Sequence, residues 1–152
     1  MSSIFTKIVN GEIPSYKIAE DENHLAFLDA MPLVEGHTLV IPKKEIDLIF
    51  DLESEEFKNL WAFAQQVAKK LGAAIPCLRV GIAVVGIEVP HAHIHLVPMN
   101  SMKDLNFGNE RLKLSPEQYR EIQDKILFNL FRRHHISSII EIIHFTLSLF
   151  TV

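Results

Sequence analysis

The stretch His91-Ala92-His93-Ile94-His95-Leu96-Val97-Pro98 decides the fold of this 152-residue chain. Three of the chain's eight histidines fall within these few residues, and they alternate with apolar side chains. Alternation with a period of two is typical of a β-strand, so we expect one imidazole face and one apolar face. A helix would distribute the three rings around its circumference.

The spacing of the three rings limits the chemistry that they can perform. Side chains on one face of a strand lie roughly 7 Å apart, so the first and third rings are about 13 Å apart. One metal ion, which binds nitrogens at about 2 Å, cannot bridge that span, although two neighbouring rings and a ligand from elsewhere can share one. A row of imidazoles better suits nucleophilic attack and the binding of an anionic group. A half-exposed strand that is rich in histidine by chance is the alternative interpretation.

Composition excludes several classes of protein. The length predicts one domain with a substantial core. The net charge of −4 and the pI near 6.0 argue against binding to a nucleic acid polymer. Cys77 is the only cysteine, which excludes an internal disulfide and fits a reducing compartment. The first residues have neither the charged start nor the apolar core of a signal peptide, so we expect a cytoplasmic protein.

Periodicity predicts an α+β fold with an antiparallel sheet. Residues 54–71 follow the template of an amphipathic helix, with Ser54 as the cap and Gly72 just past the end. Ser115-Pro116-Glu117-Gln118 predicts the start of a C-terminal helix. Because most neighbouring strands have no crossover helix between them, we expect antiparallel pairing. The five predicted strands are 16–20, 24–29, 37–41, 78–85 and 91–98.

Four motifs in this order resemble the histidine triad superfamily, and its Hint-type members in particular. They are Ile4–Pro14 (IFTKIVNGEIP), Ala26–Asp29 (AFLD), His37–Lys44 (HTLVIPKK) and the His-x-His-x-His run itself. The resemblance covers about residues 3 to 127, and 1–127 is therefore the predicted nucleotide-binding domain. It also implies a homodimer whose two sheets join into ten strands through the long helix and the fourth strand.

The resemblance implies a role for each matching residue. His93 is expected to attack the α-phosphorus of a nucleotide and form a covalent nucleotidyl-histidine. His95 is expected to donate a hydrogen bond to the phosphate, and His91 and His37 to orient their neighbours. A structural role for His37, buried before an apolar strand, is an equal alternative. Asp29 is expected to bind the ribose hydroxyls. The walls of the purine pocket are expected to be Ile4, Phe5, Ile8, Phe27 and Leu28.

The activity that follows is hydrolysis of nucleoside phosphoramidates or related monophosphates, without metal or cofactor. Members of the family with a structural zinc carry Cys-x-x-Cys where this chain has Ser3-Ile4-Phe5-Thr6, so no zinc site is expected. The link Val85–Glu88 departs from the family pattern, and Glu88 would repel a second phosphate. A dinucleoside polyphosphate hydrolase stays open, with Lys43, Lys44 and Arg79 as candidate cations. A purine-nucleotide-binding protein without activity stays open as well, and a metal-binding protein is the outlying alternative.

Residues 128–152 lie outside the resemblance and form a C-terminal extension of unknown role. Residues 136–152 are strongly apolar but are interrupted by Glu141 and His144, which makes a poor membrane span. Docking on the body or on a partner chain is the favoured interpretation. A membrane contact and a tail without a selected role stay open.

Overall fold

The computed structural model describes residues 2–128, which form three α-helices, two short 3-10 helices and one five-stranded sheet. The strand order is β1-β2-β3-β5-β4, and every neighbouring pair is antiparallel. The predicted α+β class and the five antiparallel strands are confirmed. In chain order the elements are α1 (Ile4–Val9), β1 (Lys17–Glu20), β2 (His24–Leu28), β3 (Thr38–Pro42), α2 (Ser54–Ala74), β4 (Arg79–Ala83), β5 (Ile94–Met99) and α3 (116–128).

Helix α2 covers one face of the sheet with its apolar stripe. Leu60, Ala64, Val67 and Leu71 have no exposed surface, and they pack in one cluster with apolar residues of β2, β3 and β5. Two details of the prediction were wrong. Glu53, rather than Ser54, caps the helix in a reciprocal capping box with Glu56.

Gly72 lies inside helix α2, which continues to Ala74. The buried Ile75, 4 % exposed, follows Leu71 at the spacing of one helical turn and extends the apolar stripe. Burial of this stripe outweighs the cost of a glycine in a helix, which is about 1 kcal/mol.

Helix α1 covers the other face of the sheet. Its Phe5 and Ile8 pack with alternate residues of β2 and β3, namely Leu25, Phe27, Leu39 and Ile41. The intervening residues of the same strands face α2. All five residues of each strand are therefore buried, and neither strand shows an alternation of apolar and polar side chains.

The histidine stretch is only partly a regular strand. Strand β5 pairs with β3 from Ile94, and the residues before it bend away, because His91 N–H donates to Val89 O and Ala92 N–H to Ile46 O. The predicted strand 91–98 is corrected to Ile94–Met99. The predicted alternation holds, since Ala92, Ile94 and Leu96 lie in the cluster beneath α2. His37 and Asp29 each lie one residue outside a strand, and β4 is shorter than the predicted 78–85.

Helix α3 begins at the predicted capping box. Gln118 Oε1 accepts a hydrogen bond from Ser115 N–H, and Ser115 Oγ accepts one from Gln118 N–H. Tyr119, Ile122 and Ile126 are buried in the cluster beneath α2. Of the predicted C-terminal extension, residues 128–152, only residue 128 is among the described residues. Its apolar part at 136–152 lies outside them. Within residues 2–128, no helix is long and apolar enough to cross a bilayer.

Candidate active site

A cavity of about 300 Å³ lies between α1, β2 and the histidines that precede and begin β5. Its volume is at the lower end of the range for small-molecule sites, and its walls are mostly apolar. All six predicted nucleotide-binding residues line it, together with two of the histidines. These eight residues are Ile4, Phe5, Ile8, Phe27, Leu28, Asp29, His93 and His95.

The aromatic ring of Phe5 connects the apolar wall to the histidines. Its centroid lies 5.6 Å from that of Phe27 and 5.2 Å from that of His93, with the rings edge to face in both pairs. Such pairs are favourable because the positive edge of one ring meets the negative face of the other. The end of the cavity that carries the imidazoles is therefore built directly against its apolar part.

His93 presents a free ring nitrogen. Its Nδ1 lies 2.7 Å from the carbonyl oxygen of His91, and a carbonyl can only accept, so Nδ1 carries the proton. In the neutral ring, Nε2 then carries the lone pair. Among residues 2–128, no hydrogen-bond partner contacts that Nε2. The tautomer with the lone pair on Nε2 is the one that a nucleophilic imidazole needs at this atom.

His95 is held in the opposite tautomer by His37. Leu33 N–H donates to His37 Nδ1 at 3.1 Å, so the proton of the neutral His37 ring lies on Nε2. That Nε2 lies 3.0 Å from His95 Nδ1 and donates to it, which leaves the proton of His95 on Nε2. Burial lowers the pKa of His37 to about 3 and that of His95 to about 4, so both rings are neutral at pH 7. His95 therefore offers an N–H donor beside the lone pair of His93, and their ring centroids are 4.8 Å apart.

His91 lies behind the site rather than in it. It has no exposed surface, and it is not among the residues that line the cavity. Its Nε2 donates to Pro42 O at 2.8 Å, and its Nδ1 accepts from the hydroxyl of Ser3 at 2.9 Å. Burial lowers the pKa of this ring as well. Its contact with His93 is through its own carbonyl oxygen.

Asp29 stands at the wall of the cavity just past the end of β2. Its Oδ1 accepts from Met31 N–H at 2.9 Å, and its Oδ2 lies 3.5 Å from His37 Nδ1. Burial raises the pKa of this carboxyl above its usual value, and the Met31 N–H opposes that rise. The side chain is 17 % exposed, so it remains accessible from the cavity.

Asp29, His37 and His95 each offer one ligand atom within 4.8 Å of the others, and we tested whether they suit a metal ion. Both nitrogens of His37 are already engaged, one by Leu33 N–H and one by His95. The donor nitrogen of His37 has no lone pair to offer. The lone pairs of His37 Nδ1 and His95 Nδ1 are thus already occupied by hydrogen bonds, which does not fit the open lone pairs that a zinc site requires.

The cations that the sequence suggested lie away from the cavity. Lys43 and Lys44 line a separate cleft and bind Glu20 and Glu56 at 2.9 and 2.8 Å. Arg79 pairs with Met99, whereas Ala83 pairs with His95. Arg79 therefore lies four residues, or about 13 Å, along β4 from the residue opposite His95.

Arg111 is a cation near the site that sequence reasoning missed. Its guanidinium carbon lies 5.5 Å from the ring centroid of Phe107, and the Phe107 ring contacts His95 with centroids 4.8 Å apart. Its charge opposes the rise in the pKa of Asp29 that burial causes, and it contributes to lowering the pKa of His95. Among the described residues it has no ion-pair partner. It lies in a polar, irregular stretch, where no periodicity signals which side chains face the site.

Further cavity residues also escaped the sequence analysis. Val89 packs against the cluster around α1, and Tyr119 donates its hydroxyl to the carbonyls of Asp29 and Ala30 at 3.0 Å. Both line the cavity, as does Glu88 on the link before β5, which the sequence analysis had named. The apolar spacing of α3 signalled that Tyr119 is buried, but not what it contacts.

Comparison with known proteins gives one consistent result. Residues 10–102 match the family model of the HIT domain. An uncharacterized HIT-like protein of Borreliella burgdorferi is 34 % identical over 137 residues, which cover 84 % of this chain and 97 % of that protein. The adenosine 5'-monophosphoramidase of Schizosaccharomyces pombe is 34 % identical over 128 residues, covering 83 % of this chain and 96 % of that protein.

Solved structures agree with the sequence comparison. A Hit-like protein from Bartonella henselae has a TM-score of 0.72 at 30 % identity and covers 84 % of this chain and 96 % of its own. A zinc-bound histidine triad family protein from Mycobacterium smegmatis has a TM-score of 0.70 at 32 % identity. The match covers 83 % of this chain and 94 % of that protein.

Proposed function

This chain belongs to the histidine triad (HIT) family, and on that premise we propose that it hydrolyses the P–N bond of nucleoside phosphoramidates or closely related monophosphates. The observation that carries the proposal is the pair of opposite tautomers of His93 and His95 at the end of the cavity that carries the imidazoles. His93 presents a lone pair on Nε2, and His95 beside it presents an N–H. A nucleophile and a donor to the phosphate oxygens are the two groups that phosphoryl transfer of this kind needs.

The reaction proceeds in two displacements at the α-phosphorus. His93 Nε2 attacks phosphorus, and the P–N bond to the leaving amine breaks as the new bond to the imidazole forms. The amine gains a proton as it leaves. Water then attacks phosphorus and gives up a proton, and the bond between phosphorus and His93 Nε2 breaks, so that the products are the free amine, the nucleoside monophosphate and the free imidazole. His95 Nε2–H donates to a phosphate oxygen and stabilises the charge that develops there.

The rest of the cavity binds the nucleoside. Its apolar walls suit a purine ring with modest selectivity, because they offer few polar groups to discriminate one base edge from another. Asp29 accepts hydrogen bonds from the ribose hydroxyls, which a carboxylate at a cavity wall can do. The relative named an adenosine monophosphoramidase supports adenosine as the first base to test.

A dinucleoside polyphosphate hydrolase is the second candidate, and Arg111 favours it. This guanidinium has no ion-pair partner among the described residues. It lies close enough to His95 for its charge to lower the pKa of that ring. Glu88 opposes this candidate, since its carboxylate lines the same cavity and repels further phosphates. An Arg111→Gln variant separates the two, because only turnover of the polyphosphate should fall.

The experiment that tests the proposal measures hydrolysis of adenosine phosphoramidate and the affinity for AMP on the same proteins. His93→Ala should abolish turnover and leave AMP binding within a few-fold of the wild type. His24→Ala is the matched control, because His24 is equally buried but stacks on Phe63 outside the cavity.

A wild type that binds AMP without turnover would establish the non-catalytic binding protein instead. A wild type that binds no nucleotide would refute the assignment of the cavity. Turnover that survives in His93→Ala would refute the nucleophile.

We also propose a homodimer, in the cytoplasm, with 1–127 as the functional domain. Strand β4 is an edge of the sheet within residues 2–128, and exposed apolar side chains lie on it and on the link that follows it. Ile82 is 43 % exposed, and Ile87 in the following link is 85 % exposed. An uncovered apolar edge of this kind is typical of an interaction surface. Ile82→Asp should convert a dimer to a monomer in sedimentation equilibrium, and a wild type that sediments as a monomer would refute the proposal.

A further inference from the structure

A cluster of polar side chains behind the cavity joins α1 to the first histidine of the triad. It consists of Ser3, Thr6, Glu45 and His91, and we call it the Ser3 clasp. Its members come from three distant parts of the sequence, since Ser3 is 42 residues from Glu45 and 88 from His91. None of the four lines the cavity.

The hydroxyl of Ser3 performs two tasks. Its oxygen accepts a hydrogen bond from Thr6 N–H at 3.1 Å and so caps α1. Its proton is donated to His91 Nδ1 at 2.9 Å. The direction of that bond follows from the other ring nitrogen, because His91 Nε2–H donates to Pro42 O and leaves the lone pair on Nδ1. One hydroxyl therefore links the start of the helix to the orientation of the imidazole.

Glu45 holds the same turn from the other side. Its carboxylate accepts from Ser3 N–H at 2.9 Å and from the hydroxyl of Thr6. Helix α1 has only six residues, which is too short to be stable without tertiary contacts. The position of this helix, and with it that of Phe5 against His93, depends on the buried side of α1 and on the clasp.

We propose that Ser3, Thr6 and Glu45 are positioning residues for the reacting histidine. They fix the ring and backbone of His91, and the His91 carbonyl oxygen in turn holds the proton of His93 on Nδ1 at 2.7 Å. The clasp thereby maintains the tautomer of His93 that has its lone pair on Nε2. The kinetic consequence rests on the proposed hydrolase function, whereas the consequence for the tautomer can be measured without substrate.

Four variants separate this role from that of a helix cap. Ser3→Ala removes both the cap and the donor to His91. Ser3→Gly removes the hydroxyl but leaves a residue that caps helices almost as well as serine does. Ser3→Thr keeps the hydroxyl. Ser2→Ala is the matched control, since Ser2 is the exposed neighbour and makes no hydrogen bond within the described residues.

We expect kcat for adenosine phosphoramidate to fall on the order of tenfold in both Ser3→Ala and Ser3→Gly, as is usual when a group that orients a functional histidine is lost. Ser3→Thr and Ser2→Ala should retain wild-type kcat. In a His91→Gln background, Ser3→Ala should have no further effect, because the residue through which it acts is already gone.

Long-range ¹H–¹⁵N spectra of the imidazoles in the free protein supply the second measurement. The wild type should show His93 with its proton on Nδ1, and Ser3→Ala should show a mixture of the two tautomers. Glu45→Gln tests the carboxylate with a side chain of the same size, and it should produce a smaller change of the same kind in the His93 spectrum.

Full activity in Ser3→Gly would show that Ser3 acts only as a cap and would overturn the proposal. So would an unchanged His93 spectrum in Ser3→Ala, or additive losses in the His91→Gln background. If the wild type lacks phosphoramidase activity, the proposed function fails, but the spectra still decide whether the clasp controls the His93 tautomer.

Discussion

The stability of this protein should depend steeply on pH below 6.5, because the buried His37 and His95 accept protons less readily in the folded protein than in the unfolded one. The pKa of His37 is about 3 and that of His95 about 4 in the folded protein, against 6.5 for the unfolded reference. Below pH 6.5 the unfolded state therefore binds more protons than the folded state, and the free energy of unfolding falls as the pH falls. The loss is absent above pH 6.5 and stops growing once the pH passes below the folded pKa values.

The size of this loss follows from the two shifts. One pKa unit corresponds to about 1.4 kcal/mol, so lowering the pH from 7 to 5 costs about 2 kcal/mol for each histidine and about 4 kcal/mol for both. That is a large part of the 5–15 kcal/mol by which domains are usually stable.

Urea unfolding at pH 7, 6 and 5, at constant ionic strength, measures the loss directly. A constant m-value across the series would show that the extent of unfolding is the same at each pH. In His37→Gln one of the two groups is removed, and the loss between pH 7 and 5 should shrink to about 2 kcal/mol. A variant that loses as much stability as the wild type would refute the reasoning, because the protons would then be taken up elsewhere.

Three further changes test the packing around the site. Gly36→Ala should destabilise the fold by about 2 kcal/mol in urea unfolding, because φ is +82° and the added Cβ would lie 3.0 Å from the side chain of Ile75. Gly86→Ala, at φ +69° with no atom within 4 Å of the added Cβ, should cost less and serves as its control. Tyr119→Phe should lower the free energy of unfolding by about 1 kcal/mol and weaken AMP binding, since two carbonyls beside the cavity lose their donor. Leu60→Ala should lower the free energy of unfolding by about 2–5 kcal/mol in calorimetry, because Leu60 is fully buried. Leu48 is 55 % exposed, so Leu48→Ala should leave the free energy of unfolding almost unchanged.

The buried faces and the starts of helices could be predicted because each depends on a short pattern of neighbouring residues. The i, i+4, i+7 spacing of Leu60, Ala64 and Val67 predicted the buried face of α2, and Ser115 with Gln118 predicted the start of α3. These signals need only neighbouring residues, since the period of a helix or strand and a capping box are properties of a few consecutive positions. Element ends were less certain, as Glu53 and Gly72 show, because tertiary packing decides where a helix stops.

The sequence by itself determined most of the element types and the family, and it predicted that His93 and His95 lie together in the candidate site. The tertiary structure decided what each imidazole can do. The proton of His95 lies on Nε2 because His37, 58 residues away, donates to its other nitrogen. The proton of His93 lies on Nδ1 because the backbone before β5 bends and brings a carbonyl oxygen beneath the ring. A motif names the residues, but a tautomer depends on hydrogen-bond partners that only folding brings within 3 Å.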